Sequence, residues 1–303
     1  MTAGQAGYYG LPILKRPHWK WEIVLYFWLG GIAAGAYVVA ALADVFGDED
    51  DRPTVRAGRL LALPLLVVCP LLLIKDLGRP EKFYNMLRIF KLKSPMSVGS
   101  WGLFIFGGLS GLSALLELAA EQDGWRRLRR LVAVLGSPLG LFIGGYTGVL
   151  LSATAIPLWA SNRLLWGPVF LSSAFSTGTA AIELALALAG AGRPRTLAKL
   201  ERLHLFGLLT EAGLVLASLR RLGRAGEPLI RGTWSSLFVP GTLGIGLAAP
   251  LVLGLTSRRS PGRVMILARA LCILVGGLSL RASVVYGGRT SADDVRAYLE
   301  MTS

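Results

Sequence analysis

Two histidines and two cysteines among 303 residues leave little with which to hold a redox metal. A membrane cytochrome b needs axial haem ligands, usually paired histidines. His18 and His204 fall on opposite sides of the apolar segments described below, which excludes bis-histidine haem. Cys69 and Cys272 lie inside apolar runs without CxxC spacing, so they support neither an iron–sulfur cluster nor a structural zinc and read as packing residues. No metal site is expected. The chain also lacks a P-loop, a GxGxxG after a strand, an HExxH and a GxSxG in a suitable context, which removes support for nucleotide-binding, dinucleotide-binding, metalloprotease and hydrolase readings. Charge is scarce too: 17% of residues are charged, against about 25% in an ordinary soluble domain.

What is present is apolar length. Hydrophobic residues make up 53% of the chain and mean hydropathy is +0.56. A membrane helix needs about 20 predominantly apolar residues, and eight segments qualify: roughly 22–45, 58–76, 98–119, 131–153, 164–190, 203–219, 234–256 and 262–282. The expected fold is therefore an all-α membrane protein of eight transmembrane helices, a number that two four-helix bundles would fit. The eight-helix domain at 22–282 follows an interfacial arm at 1–21 and precedes a polar tail at 283–303. Eight crossings place both termini on one side, the near side. The first twenty residues contain no apolar h-region and no small-residue cleavage site, so the first span is expected to be retained.

The formal charge of +14 lies almost entirely in loops between spans, where lipid headgroups and topology account for it without nucleic acid. With residues one position inside a span end counted to the adjoining side, 17 of the 32 Lys and Arg residues are on the near side, 14 are on the far side, and Arg269 alone lies deeper within a span. That balance assigns no orientation by the positive-inside rule. The far-side connections, Asp48–Arg52, Arg126–Arg130, Arg193–Arg195 and Arg258–Pro261, read as topological punctuation. The near-side loop from Leu77 to Val98 is longer, and interleaves Arg79, Lys82, Arg88, Lys91 and Lys93 with Phe83, Tyr84 and Phe90, as a contact surface would. Trp19, Trp21, Trp101, Trp159, Trp166 and Trp234 also fall at near-side helix ends. A plain aromatic belt occupies both interfaces, so the asymmetry marks the near side as functional. Gly30–Gly35, Gly107–Gly111 and Gly144–Gly148 read as places of close helix approach, and a short surface helix is expected over Ala292–Glu300.

Two polar sets could carry chemistry. On the near side Glu22 opens the first span beside Trp21. Tyr26 lies one turn deeper on the same face, and Lys75, Asp76 and Arg79 close the second span. Tyr146 is expected about 10 to 15 Å below the near-side surface. Such groups suit a redox-active quinone, which needs hydrogen-bond partners for two carbonyl oxygens and groups that exchange protons with water. Asp76 beside Lys75 and Arg79 reads as an ionised organiser and Glu22 as the proton exchanger. On the far side Glu183, Glu211 and Arg269 are expected about 10 to 12 Å deep in spans five, six and eight. With His204 they form a buried ion cluster or part of a proton path.

At these residues the chain resembles the NrfD and PsrC type membrane subunits of polysulfide-reductase-like complexes. The resemblance is carried by Trp19-Lys20-Trp21-Glu22, Tyr26-Phe27-Trp28-Leu29-Gly30-Gly31 with Gly35, Asp76-Leu77-Gly78-Arg79-Pro80, and Ser94-Pro95-Met96-Ser97 with Gly99 and Trp101. Gly145-Tyr146-Thr147-Gly148-Val149-Leu150-Leu151 and Ile156-Pro157-Leu158-Trp159 extend it to about residue 170; beyond that, span count and Glu211 agree. It implies a quinone-binding anchor (menaquinone or ubiquinone) without haem or iron–sulfur cluster of its own, in a bacterial or archaeal cytoplasmic membrane. It also implies a docked ferredoxin-like iron–sulfur subunit, itself bound to a molybdopterin or other catalytic subunit. Tyr146 matches the family's pocket tyrosine of span four. Tyr26 stands where some relatives have histidine, a departure that bears on the quinone type. Many complexes of this family hold the catalytic subunits outside the cytoplasm, and others hold them inside. A secondary transporter or ion channel would also explain the buried ions, although no internal repeat is evident, and a purely structural anchor is a third reading.

Overall fold

The computed structural model describes residues 13–119, 125–256 and 262–302. The first twelve residues of the arm and the Arg258–Pro261 connection lie outside the described residues. Among the described residues eight helices are long and apolar enough to cross a membrane, and there is no strand. They are α1 (Trp21–Phe46), α2 (Arg52–Asp76), α3 (Pro95–Ala119), α4 (Arg126–Ser152), α5 (Trp166–Ala189), α6 (Pro194–Leu222), α7 (Ser235–Leu255) and α8 (Arg263–Ser291). The chain is a multi-pass integral membrane protein.

The central helices are α1 and α5, both buried along most of their length. α1 packs on α2, α4, α5 and α8, and α5 packs on α1, α4, α6 and α8. Small residues permit the crossing: a Cβ at Gly35 would lie 1.9 Å from the Ala174 carbonyl oxygen, and one at Gly178 would lie 2.3 Å from the Ala36 nitrogen. Lipid provides no hydrophobic drive between helices, so close backbone approach of this kind is how they gain packing energy. The outward helices keep apolar side chains exposed, among them Leu71, Leu115, Leu118, Phe206 and Leu209, as a lipid-facing surface requires. α7 is π-helical over Phe238–Ala248, a stretch containing Pro240 and three glycines.

Several helices outrun their apolar cores. α6 begins at Pro194 rather than near 203, and α8 continues to Ser291 rather than 282. Proline at the start of α6 is pre-set for a helical first turn, and a helix can project into water on polar residues that hydropathy discounts. The surface helix of the tail, α9, spans Val295–Thr302. Its start is set by Asp294, whose side chain accepts hydrogen bonds from the backbone of Arg296 and Ala297 at 3.0 and 3.1 Å.

Arg269 is not the only arginine within a span. Arg59, 1% exposed, donates from Nη2 to Asp44 Oδ2 at 2.8 Å and from Nη1 to Glu117 Oε2 at 2.7 Å. Arg52 Nη1 also reaches Asp44 Oδ1 at 3.3 Å, and Arg130 donates to the Asp44 carbonyl at 2.7 Å. One ionic knot thus joins α1, α2, α3 and α4 at their far ends. The acidic far-side loop is also more than punctuation. Lys199 Nζ lies 2.6 Å from Asp51 Oδ2 and 3.0 Å from Asp48 Oδ2, Arg193 pairs with Asp50, and Arg126 pairs with Glu49. The loop therefore ties α6 and α4 to the α1–α2 turn.

Removing one partner of a buried ion group leaves uncompensated charge and costs about 3–5 kcal/mol. Arg59→Met is accordingly expected to lower the thermal midpoint of the detergent-solubilised protein sharply. Neutralising the stranded carboxylates as well, with Asp44→Asn and Glu117→Gln, should recover much of the loss. A midpoint unmoved by Arg59→Met would show that the knot does not stabilise the fold.

Candidate functional site

The near-side polar residues converge where α1, α2, α3 and α4 meet. A narrow chamber there is lined by Tyr26 from α1, Leu73 and Asp76 from α2, Gly99 and Ser100 from α3, and Tyr146 from α4. Trp19 closes it from the arm, and Met86, from a helical turn at Asn85–Arg88 in the near-side loop, closes it from the other side. The arm is held there by stacking of Trp19 on Trp159, with centroids 5.2 Å apart and planes at 21°. Trp159 in turn donates from Nε1 to the Val284 carbonyl at 2.8 Å. Trp159 and Trp166 are thus core residues, 0% and 2% exposed, and not part of an interfacial belt.

Within this frame Tyr26 is 3% exposed and lines the chamber from α1. The Tyr146 hydroxyl donates to the Pro95 carbonyl, and its ring lies 5.1 Å from that of Phe142. Gly99 makes room for it, since a Cβ there would fall 2.2 Å from the Tyr146 ring. Proline at the first position of α3 and the Ser94–Ser97 turn fix this corner. Ser97 Oγ accepts from the Lys91 backbone at 3.0 Å and donates to the Ile89 carbonyl at 3.3 Å, which ties the near-side loop to the start of α3.

Glu22 is buried at the mouth. Lys75 Nζ stands 3.6 Å from Glu22 Oε1 and 4.3 Å from the Trp21 ring centroid, while Glu22 Oε2 is buried without a hydrogen-bond partner. Trp21, Glu22 and Lys75 therefore form one group. Lys75 turns to Glu22 rather than to Asp76, and Arg79 is exposed on the loop. The charged groups acting on Asp76 are His18 and Lys20 of the arm together with Glu22. Neither His18 nor Lys20 stood out by sequence as a site residue. The one available signal was their position, four and two residues before Glu22, because a short arm folded over the mouth must carry them past it.

The second polar set divides in two. Arg269 Nη2 lies 3.4 Å from Glu183 Oε2 and Nη1 lies 2.7 Å from Glu201 Oε1, with His204 Nδ1 3.7 Å from Glu183 Oε2. Glu211 is elsewhere. Because α6 starts at Pro194, Glu211 sits about 25 Å along the helix from its far end, not at the depth of Glu183 and Arg269. It lies against Ser173 and Ser176 in the field of Arg281. Arg281, 0% exposed, donates to the Phe27 carbonyl at 3.0 Å and, from Nη1, to Ser173 Oγ and the Gly277 carbonyl, both at 2.9 Å. Its position one residue from the expected end of span eight hid it, since the helix runs nearly three turns further. Among the described residues no group of three or more His, Cys, Asp or Glu side chains is arranged to hold a metal ion.

The Tyr146–Gly99 contact generates a test by double-mutant cycle. Overpacking costs typically about 1–3 kcal/mol, so Gly99→Ala should lower the thermal midpoint in the natural background. The same change should be nearly neutral when Tyr146 is already alanine. Costs that simply add in the double variant would contradict the contact.

Residues 14–292 match the family described as "Polysulphide reductase, NrfD". Over 90% of its length the chain is 28% identical to the C subunit of the polysulfide reductase of Wolinella succinogenes, covering 94% of that protein. It is 27% identical to the protein NrfD of Escherichia coli, with 89% of the chain and 95% of that protein aligned. A shorter match, 25% identical over 49% of the chain and 36% of the relative, is to an Hdr-like menaquinol oxidoreductase integral membrane subunit of Archaeoglobus fulgidus.

Proposed function

Since the chain belongs to the polysulphide reductase NrfD family and is a membrane subunit of an oxidoreductase, we propose that it reacts with quinone in the near-side chamber. There it exchanges electrons with an iron–sulfur subunit docked on the near side. The observation that carries this reading is Glu22 Oε2, buried without a hydrogen-bond partner beside a chamber whose wall carries two tyrosines, Tyr26 and Tyr146, and Asp76. Buried polar atoms are nearly always paired, and each exception calls for an explanation. A quinol, whose two ring hydroxyls donate to such acceptors and whose carbonyls, once oxidised, accept from a tyrosine hydroxyl, explains it, and a relative named as a menaquinol oxidoreductase subunit agrees with it.

A quinone supplies a two-electron, two-proton couple; this chain's residues supply position and proton exchange. Tyr26, on the chamber wall, would donate to one carbonyl oxygen from the α1 side. Tyr146 holds its own orientation by donating to Pro95, leaving its hydroxyl oxygen as an acceptor on the α4 side. Glu22 has one oxygen facing Lys75 and one free, at the boundary between the chamber and the exposed Lys75 ammonium. That position suits proton exchange with water. Asp76, with His18 and Lys20 opposite, organises the rim. Trp19 and Met86 exclude water from above.

The partner surface is the loop between α2 and α3. Phe83, Tyr84, Ile89, Phe90 and Leu92 are exposed there beside the exposed cations Arg88, Lys91 and Lys93. A basic rim around exposed aromatics fits an acidic ferredoxin-like iron–sulfur subunit, with a molybdopterin-type catalytic subunit attached to it in turn.

Two outcomes test this reading. Tyr26→Phe is expected to cut quinol-linked turnover at least about tenfold, the range for losing one positioned proton-transfer group, and Tyr146→Phe should cut it as well. Assembly and activity with a soluble dye should be unchanged in both. Quinone kinetics indistinguishable from the natural protein in both variants would sink the assignment. Charge reversal at Arg88, Lys91 and Lys93 together should detach the iron–sulfur subunit during purification, and its full retention would place the docking surface elsewhere.

A further inference from the structure

The glycines at Gly107 and Gly108 do not do what such glycines usually do. A Cβ at Gly99 or Gly102, earlier in the same helix, would collide with Tyr146 or Phe142, so those positions serve close packing. A Cβ at Gly107 or Gly108 would meet nothing within 4 Å, and one at Gly111 only Leu63 Cδ1 at 3.7 Å. Each interior glycine costs a helix about 1 kcal/mol relative to alanine, and here no close approach offsets it. What these positions leave is space: a groove of about 800 Å³ between α2 and α3.

The groove faces the membrane. Its α2 wall carries Val67, 56% exposed, and the two prolines of that helix, Pro64 and Pro70, fall along the same stretch. It runs from Leu63 and Leu112, at mid-membrane, to Leu77 and Phe83 at the near side, about 20 Å along α2. Its single side chain with a hydroxyl, Ser100, is already donating to the Met96 carbonyl at 2.9 Å. The groove therefore offers an occupant no free side-chain hydrogen-bond donor. At its near end it shares Leu73, Leu77, Met86 and Ser100 with the chamber that holds Tyr26, Asp76 and Tyr146.

We infer that this groove receives the polyisoprenyl chain of the quinone whose ring enters the chamber, so the site loads sideways from the bilayer and favours long-chain quinones over tail-less ones. The inference rests on the quinone reading above. A branched apolar chain tethered to the ring is the one occupant that joins the two spaces. A phospholipid acyl chain shares the chemistry of the groove but has no reason to extend into a chamber lined by two tyrosines and an aspartate.

The test uses the intact complex carrying Gly107→Leu or, from the opposite wall, Val67→Phe. Neither change should disturb the fold: the first fills open space with a better helix former, and the second lies on a lipid-facing surface. The expected result is a KM for a quinol with its full polyisoprenyl chain raised at least about tenfold, with kcat/KM for the tail-less quinol within about twofold of the natural complex. Equal impairment of both quinols, or no effect on either, would overturn the proposal and leave the groove to bulk lipid. A natural complex that consumes neither quinol would bring down the quinone reading itself, an outcome distinct from either.

Discussion

The close crossing of α1 and α5 is the constraint on which the remaining architecture depends. With Gly35 and Gly178 facing backbone at distances that admit no Cβ, α1 is drawn into the middle of the protein and surrounded by α2, α4, α5 and α8. That position explains why α1 is rich in small and apolar residues on all sides, whereas α2 and α3 are apolar chiefly toward lipid. It also sets the site. Glu22 and Tyr26 lie on the near-side turns of the helix that touches most of the others, so α2 brings Lys75 and Asp76 to them and α4 brings Tyr146. Arg281 braces the same helix from α8 by donating to the carbonyl of Phe27, the residue after Tyr26. A Cβ at Gly31 would lie 2.7 Å from Arg281 Nη2, so the small residues of α1 admit both the neighbouring helix and the guanidinium.

The membrane class, the number of spans and the near-side grouping of Glu22, Tyr26, Lys75, Asp76 and Tyr146 were legible in the sequence, because apolar length and helical spacing report them directly. What was not legible shares one physical origin. Hydropathy measures where hydrocarbon begins, not where a helix begins. α6 therefore starts earlier than its apolar run, which moves Glu211 away from Glu183 and Arg269 and toward Arg281. α8 likewise continues beyond its run, which makes Arg281 a mid-helix buried cation rather than an end residue. Asp44, Arg59 and Glu117 each fall near a span end by composition. Only three-dimensional register shows that they meet, since helices antiparallel to one another bring residues 44, 59 and 117 to one depth. Pairings at Asp76 were misjudged for a related reason: adjacency in sequence favoured Lys75 and Arg79, whereas a folded arm brings His18 and Lys20.

The first four helices hold buried charge at both ends, and the difference in its surroundings bears on function. At the far end Arg59 directs its two terminal nitrogens to Asp44 and Glu117, and Arg52 and Arg130 add to the same knot. A low-dielectric interior demands such pairing of a charge, although Arg59 Nε has no hydrogen-bond partner there. At the near end Glu22 Oε2 is buried without a partner, although an unsatisfied buried polar group costs about 1–3 kcal/mol. Unpaired atoms also occur at His204 and at Arg281 Nη2, so orphanhood alone does not identify a site. The near-side oxygen is set apart by a chamber that shares Leu73, Leu77, Met86 and Ser100 with a membrane-facing groove. A carboxylate oxygen left unpaired beside a chamber and an apolar groove open to the bilayer stands where a lipid-soluble molecule with polar oxygens would find both a route and a partner.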